Sequence, residues 1–172
     1  MSARNAAPAS DLTLRAVPAI KEIDAAAWNA CANPTVSAVQ AVQPNSEECS
    51  MSGESASEIP SNPFISYEFL SSLEDSSSAV ARTGWQPQHL LAEATDGTIA
   101  GVVPCYLKSH SRGEYVFDRG WAEAYERAGG SYYPKLQVSV PFTPATGRRL
   151  LVRPSPDAER IREGLTAGLI EL

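Results

Sequence analysis

Polar and aromatic side chains that could bind a substrate are concentrated at residues 132–143. Tyr132, Tyr133, Lys135 and Gln137 lie within six positions, and Thr143 follows after a strand-like segment. Tyrosine, lysine and glutamine hold a polar substrate by stacking and hydrogen bonding. The same pattern is equally typical of a strand with aromatic edges whose polar face meets water. The segment is therefore a candidate binding surface with both interpretations open.

Two histidines, His89 and His110, complete the candidates for acid–base chemistry. Neither stands at metal-ligand spacing from a cysteine or carboxylate, so no metal site is predicted. His89 falls in a predicted strand and is interpreted as structural. His110 follows a predicted strand in a Ser-rich turn, where it either faces a substrate or serves the turn. The GxGxxG, GxxxxGK[ST], GxSxG and HExxH motifs are absent, which excludes the protein classes they define.

The distribution of charge limits the kinds of molecule that the protein can bind. The net charge is −6, with 4 basic and 12 acidic residues over 1–99 and 10 basic and 8 acidic over 100–172. This balance excludes a nucleic-acid duplex as partner. Arg148, Arg149 and Arg153 are either a solvated cationic rim or an anion site. No apolar stretch reaches the length of a membrane span.

Three cysteines without CxxC spacing predict a reducing compartment. We therefore expect a cytoplasmic protein. The Ser/Arg-containing, acid-free first ten residues leave the stroma or matrix of an organelle as the alternative.

Hydrophobic periodicity predicts an α/β fold with a mixed, mainly antiparallel sheet flanked by helices. Asp96-Gly97 suits the turn of a hairpin between two long strands. Pro104 interrupts the second strand, and because proline cannot donate to the ladder it predicts a bulge or a splayed pair. Strands are predicted at 12–17, 85–94, 98–108, 135–141 and 150–152, and helices after Asp24, from Asn62, at 113–128 and at 155–172.

Two segments depart from this pattern. Residues 1–11 predict a flexible tail, and residues 33–61 predict a disordered insertion because they carry four acids, no basic residue and no periodicity. The folded part is thus expected over 12–172 as one partial domain with an interruption at 33–61.

The order of motifs resembles that of the FemAB-like predicted N-acyltransferases. The resemblance covers residues 12–172 apart from the insertion. It implies a fold similar to the amino-terminal part of the GCN5-related acetyltransferases and transfer of an acyl or aminoacyl group to an amine, in a family described as peptidoglycan-biosynthesis-like. The segments that carry it are 62–64, 67–70, 84–89, 103–111, 113–118, 121–125, 132–137 and 140–144.

The resemblance adds Asp118 and Trp121 to the candidate substrate-binding residues, as groups that would orient a small-molecule or peptide amine. It also implies that the family's chain continues beyond residue 172, into a carboxy-terminal half holding the donor loop. We therefore expect no cofactor in this chain, with acyl-CoA or aminoacyl-tRNA as donor for a longer product. No dedicated base is evident. The alternative function is a non-catalytic fragment that binds a peptide, a glycan or a partner protein.

Limited proteolysis tests the predicted insertion. We expect the first cuts within residues 33–60, because an aperiodic acidic segment cannot bury enough apolar surface to become ordered. Mass spectrometry of the early fragments locates the cuts. A span that resists cleavage while the rest of the chain is cut would contradict the prediction.

Overall fold

The computed structural model of the chain describes residues 12–35, 60–115 and 117–172. The predicted tail at 1–11 and most of the predicted insertion at 33–61 lie outside these ranges. Helices in the described ranges are α1 (Ala25–Ala32), α2 (Tyr67–Asp75), α3 (Arg119–Arg127) and α4 (Ala158–Glu171). Strands are β1 (Leu12–Val17), β2 (Trp85–Pro87), β3 (His89–Ala94), β4 (Ile99–Val103), β5 (Cys105–Lys108), β6 (Lys135–Val138) and β7 (Leu151–Val152).

The strands form two sheets in which every described pairing is antiparallel. One sheet has the order β1-β3-β4-β7 and the other β2-β5-β6. The β3–β4 hairpin turns at the predicted Asp96-Gly97 pair, where Gly97 has a φ of +81° and its N–H donates to Ala94 O at 2.9 Å. The predicted α/β class with antiparallel pairing is confirmed.

Both predicted long strands break at the same level, which separates the two sheets. β4 ends at Val103 and β5 begins at Cys105, so Pro104 is the break in one strand, while Gln88 divides β2 from β3. The Gln88 N–H donates to Cys105 O at 2.8 Å, and the Cys105 N–H donates to Nδ1 of His89 at 3.3 Å. The splayed pair predicted from Pro104 is confirmed, and the side chain of His89 supplies an acceptor that the ladder lacks there.

The larger sheet is packed on both faces. Val102 lies in the same apolar cluster as Trp28 of α1 and Leu70 of α2, and Val103 lies in a second cluster with Ile161 and Leu165 of α4. Successive strand residues point to opposite faces, so these two valines show that β4 is covered on both sides. This is the central strand that its apolar sequence predicted.

Both flanks of the predicted insertion meet at one pair of asparagines. Nδ2 of Asn33 donates to Asn62 O at 3.0 Å, and the Asn62 N–H donates to Oδ1 of Asn33 at 2.8 Å. These two hydrogen bonds hold residue 33, after α1, next to residue 62, before α2.

One predicted helix begins later than its sequence pattern indicates. The described residues 113–115, 117 and 118 are not helical, and α3 starts at Arg119. Gly113 has a φ of +81°, and a Cβ there would lie 2.4 Å from the ring of Phe142 and 2.7 Å from Nε1 of Trp85, so the chain passes close against both rings before α3. The apolar stripe of α3 faces solvent, with Trp121 76% and Tyr125 54% exposed.

Smaller differences affect the ends of other elements. A 3-10 turn at Pro63–Ile65 precedes α2, which begins only at Tyr67, and β6 ends at Val138. Asn62 and Pro63 thus begin a short 3-10 helix and not the α-helix itself. Among the described residues, no helix has both the length and the apolar character needed to cross a bilayer.

Thiol labelling tests the central position of this strand pair. Burial raises the pKa of Cys105 to about 12, and its side chain has no exposed surface, so it should react slowly at neutral pH. Cys31 is equally buried and should also be slow, whereas we expect Cys49, which lies outside the described residues, to be fast. Peptide mapping after timed labelling measures the rates, with unfolded protein as control. Equal native rates for Cys49 and Cys105 would contradict the assignment.

Candidate functional site

The three-stranded sheet brings the ends of β2, β5 and β6 together. In the antiparallel register Trp85 pairs with Lys108, and Lys108 pairs with Lys135. The chain leaves β5, crosses Trp85 at Gly113 and enters α3, so Glu114 and Asp118 of this connection come over the same strand ends. A row of residues far apart in sequence thus becomes one polar cluster.

Lys135 is the centre of this cluster. Its Nζ is bonded to Oδ2 of Asp118 and lies 3.4 Å from Oε1 of Glu114, and Tyr133 donates its O–H to Oδ1 of Asp118 at 2.8 Å. Burial opposes ionisation of both partners, yet the hydrogen bonds from Lys135 and Tyr133 hold the pKa of Asp118 below its ordinary value. The pKa of Lys135 is raised, because Asp118 and Glu114 outweigh its burial. This pair stays ionised at neutral pH.

The tyrosines form an aromatic wall around the Lys135 ammonium. The ring centroids of Tyr132 and Tyr133 lie 5.2 and 5.4 Å from Nζ, and the two rings meet edge to face at 5.1 Å. Burial and the neighbouring Asp118 raise the pKa of Tyr133, so its phenol remains a hydrogen-bond donor.

Lys108 is the second buried cation of the site. It is fully buried, its Nζ lies 3.6 Å from the centroid of the Trp85 ring, and it donates to Arg112 O at 3.0 Å. Burial lowers the pKa of Lys108 to about 8, although Glu114 acts in the opposite direction. Because this pKa lies close to neutrality, a change in the charges around Lys108 can change its protonation state.

Glu114 connects the cluster with a neighbouring cavity. Its side chain is 8% exposed, and burial raises its pKa in spite of Lys135. The cavity has a volume of about 190 Å³, and its wall includes Glu114, Trp85, Gln137, Phe142 and Thr143. Glu114 thus belongs to the ion-paired cluster and also lines an open cavity beside it.

The predicted candidate residues divide into three groups. Asp118, Tyr132, Tyr133 and Lys135 come together in the cluster. Gln137 and Thr143 line the adjoining cavity. Trp121 and His110 are in neither group.

Trp121 is exposed on α3, and in the described structure no hydrogen bond or ring contact joins it to the cluster. His110 accepts at Nδ1 from the Arg112 N–H at 3.2 Å, and its ring fills the space beside Gly84, where a Cβ would lie 2.4 Å from Nε2. These contacts place His110 in the packing of the turn. His89, interpreted as structural, is buried with Nε2 2.9 Å from Oε1 of Glu74.

Sequence reasoning missed three members of the site. Lys108 ends an apolar strand, where an exposed terminal lysine is the ordinary expectation, and Glu114 falls in the first turn of the helix predicted at 113–128, where an acidic residue is ordinary. Trp85 begins a short strand, and its register opposite Lys108 is visible only in the fold. The one available signal was alternation, since Lys108 shares a strand face with buried Tyr106.

Arg148 and Arg149 do not form a free cationic rim. Arg148 donates to Ala32 O at 2.7 Å, at the carboxyl end of α1, and Arg149 donates to Ala145 O and Arg148 O. Both side chains are half-buried and engaged by main-chain carbonyls, which corrects the solvated-rim interpretation for these two residues. No group of metal-ligating side chains large enough to hold an ion occurs among the described residues.

The protein thus has an antiparallel α/β fold with an ion-paired cluster, flanked by two tyrosines, at a strand junction. Comparison with known families identifies its family. A family model described as peptidoglycan biosynthesis/recognition, FemAB_like, matches residues 19–172. The chain belongs to the FemAB-like family, as the resemblance in its motifs predicted. No curated protein and no solved structure matches the chain.

The pH dependence of stability tests the burial of Lys108. Its folded-state pKa is about 8, below that of an unfolded lysine, so from pH 8 upward the unfolded chain binds more protons. The free energy of unfolding should therefore gain about 2 kcal/mol from this group between about pH 8 and pH 10. Lys108→Met should lose that rise, whereas Lys21→Met, at an exposed lysine, should keep it. Denaturant unfolding across this range measures the difference, and identical slopes for wild type and Lys108→Met would contradict it.

Proposed function

We propose that the chain carries the acceptor-binding part of an N-acyltransferase, which transfers an acyl or aminoacyl group to the amine of a small molecule or peptide. The observation that supports this most is the Lys135–Asp118–Tyr133 cluster next to an open cavity of about 190 Å³. Membership of a family named for peptidoglycan biosynthesis and recognition supports the substrate setting, because peptidoglycan precursors present peptide amines.

Transfer to an amine needs an uncharged nitrogen, a proton acceptor and stabilisation of the oxyanion that forms on the acyl carbonyl. Lys135 retains its proton, and a fixed ammonium in a partly buried site stabilises either an oxyanion or a substrate carboxylate. Asp118 holds Lys135 and Tyr133 in place through its two oxygens. Each of these roles uses a contact that exists without substrate, so the site is preorganised.

The acyl donor, acyl-CoA or an aminoacyl-tRNA, is assigned to no described residue. Arg148 and Arg149 are the nearest approach to a phosphate site by sequence, but their guanidinium groups bind main-chain carbonyls and the segment leads into β7. Phosphate recognition depends on free cations or on N–H groups at a helix start. A location in the cytoplasm, or in a stroma or matrix, stays a prediction.

A second candidate function is recognition without catalysis, and the exposed aromatic ridge of Tyr115, Phe117, Trp121 and Tyr125 favours it. These side chains are 76%, 64%, 76% and 54% exposed. Large rings exposed along one helix and the segment before it are typical of a surface that stacks on a sugar or peptide. Acyl transfer would depend on the Asp118 cluster, whereas recognition would depend on the exposed aromatic ridge.

An acyl-transfer assay separates the candidates. The protein is supplied with acetyl-CoA or with an aminoacyl-tRNA and a peptidoglycan-type peptide, and mass spectrometry detects the N-acylated peptide. Asp118→Asn should reduce transfer by about tenfold to a hundredfold, because Lys135 and Tyr133 lose their fixed partner. Asp75→Asn, the same change at an exposed position, should have no effect. A product yield unchanged in Asp118→Asn, or peptide binding lost only in Trp121→Ala, would favour the recognition function.

A further inference from the structure

The main-chain carbonyl of Arg112 accepts hydrogen bonds from two buried side chains. Nε1 of Trp85 donates to it at 3.2 Å, and Nζ of Lys108 donates to it at 3.0 Å. A carbonyl oxygen has two lone pairs, so it can accept both bonds at once. Trp85 and Lys108 are opposite each other in the register of β2 and β5, and the ammonium lies 3.6 Å from the centroid of the Trp85 ring. We call the Trp85 indole, the Lys108 ammonium and the Arg112 carbonyl the carbonyl clamp.

The clamped carbonyl belongs to a tight turn that ends at Glu114. The Glu114 N–H donates to Ser111 O at 3.2 Å, and Gly113 occupies the third position of this four-residue turn with a φ of +81°. Glycine is the usual residue at a turn position with positive φ. A Cβ on Gly113 would also collide with the ring of Phe142 and lie 2.7 Å from Nε1 of Trp85. The turn, the ring packing and the two hydrogen bonds thus act together to position Glu114 against β2 and β5.

Both carboxylates that contact Lys135 belong to the connection from β5 to α3, which the carbonyl clamp holds near its start. Glu114 ends the turn, and Asp118 lies just before α3. Lys135 is on β6, where it pairs with Lys108 of β5. The ion pairs of Lys135 with Glu114 and Asp118 therefore join the connection to the sheet. Their geometry depends on where the clamp holds the connection.

Core packing does not account for a lysine at position 108. The Lys108 side chain is fully buried, and no carboxylate oxygen among the described residues lies within ion-pair distance of its Nζ. Its polar partner is one carbonyl, and burial lowers its pKa to about 8. A buried ammonium with so few partners costs free energy that an apolar side chain of similar length, such as methionine, would not. What the lysine adds is the hydrogen bond to Arg112.

We propose that Trp85 and Lys108 are positioning residues of the site: by holding the Arg112 carbonyl, they set the positions of Glu114 and Asp118 relative to the Lys135 ammonium. This structural statement needs no assumption about the reaction. Its consequence for catalysis rests on the proposed acyl transfer, in which a fixed Lys135 stabilises an oxyanion or a substrate carboxylate. Trp85 and Lys108 act through the connection and not through contact with a substrate.

Two carboxyl pKa values report whether the connection moves. Burial opposes ionisation of Asp118, but hydrogen bonds from Lys135 and Tyr133 hold its pKa below the ordinary value. Burial raises the pKa of Glu114, although Lys135 acts in the opposite direction. A connection that moves away from the sheet should therefore raise the first pKa, through loss of the bonds, and lower the second, through entry of water. The other titratable groups that face these two carboxyls are Lys108 on β5 and Tyr132 before β6.

Trp85→Phe removes the indole N–H and keeps an aromatic ring. NMR titration of the carboxyl carbons should show a raised pKa for Asp118 and a lowered pKa for Glu114, compared with the wild type. Tyr106→Phe is the matched control, because its ring packs on Trp85 at 5.6 Å and its hydroxyl has no hydrogen-bond partner within the described structure. It should leave both pKa values unchanged. A folded Trp85→Phe protein with wild-type values for both carboxyls would overturn the proposal.

Two further measurements decide the question if Trp85→Phe does not fold. Gly113→Ala keeps both donors but displaces the turn, so it should shift the same two pKa values in the same directions. In the wild type, the buried indole N–H of Trp85 should exchange with solvent at least about tenfold more slowly than that of exposed Trp121. Unchanged pKa values in folded Gly113→Ala, or equal exchange rates for the two indoles, would each contradict the clamp.

Kinetics separate positioning from substrate contact, since Trp85 also lines the cavity beside Glu114. In the transfer assay, Trp85→Phe should lower kcat about tenfold to a hundredfold and leave KM within about threefold. A raised KM at unchanged kcat would assign Trp85 to the substrate surface and remove its positioning role. Because both donors hold one carbonyl, Trp85→Phe combined with Lys108→Met should cost less than the product of the single effects. Multiplicative effects would contradict a shared role.

The structural and catalytic halves of the proposal fail in different ways. Shifted carboxyl pKa values in Trp85→Phe, with no transfer by the wild type to any acceptor, refute the proposed acyltransferase and leave the carbonyl clamp in place. Unshifted pKa values, with transfer by the wild type, refute the clamp and leave the acyltransferase in place.

Discussion

The missing N–H of Pro104 is the constraint on which the rest of the structure depends. A long β-hairpin that paired along its whole length would put residues 85–108 into one sheet. Because Pro104 cannot donate to the ladder, the pair splays, and His89 supplies an acceptor for the next N–H at Cys105. One half of the hairpin then packs between α1, α2 and α4, while the other half pairs with β6 and carries Lys108 to the junction.

That His89 acceptor is itself held in place by buried contacts. Its other nitrogen meets Glu74 of α2, and its ring packs edge to face on Trp28 and Tyr106 at 5.5 and 5.2 Å. The carboxylate of Glu74 also accepts the Ile20 N–H at 3.0 Å. The break between the sheets is thus connected to the hydrophobic core, which explains how a bend in the middle of a strand is kept in one geometry.

The site differs from the core in how its charges are compensated. Lys108 is buried against the face of Trp85 and donates to one main-chain carbonyl, and its pKa is lowered. Lys135 contacts two carboxylates, and its pKa is raised. The pKa values of two lysines that lie opposite each other in the strand register are therefore shifted in opposite directions. Buried charges with shifted pKa values in one cluster are typical of functional sites.

Sequence alone determined the local features, because these depend on neighbours along the chain. The strand at 12–17, the helix capped by Asp24, the Asp96-Gly97 turn, the break at Pro104 and the buried central strand all follow from periodicity and from the chemistry of single residues. The motif order also indicated the FemAB-like family. Tyr132, Tyr133, Lys135, Gln137 and Thr143 were recognisable as candidates by their types, and the family resemblance added Asp118.

Tertiary structure decided which of these residues meet, and it added members that no pattern marked. Lys108, Glu114 and Trp85 join the site through the antiparallel register of β2, β5 and β6 and through the path of the chain over the tryptophan ring. Local sequence carries no record of such contacts. The lowered pKa of Lys108 and the raised pKa of Glu114 arise from burial, which is a property of the packed molecule.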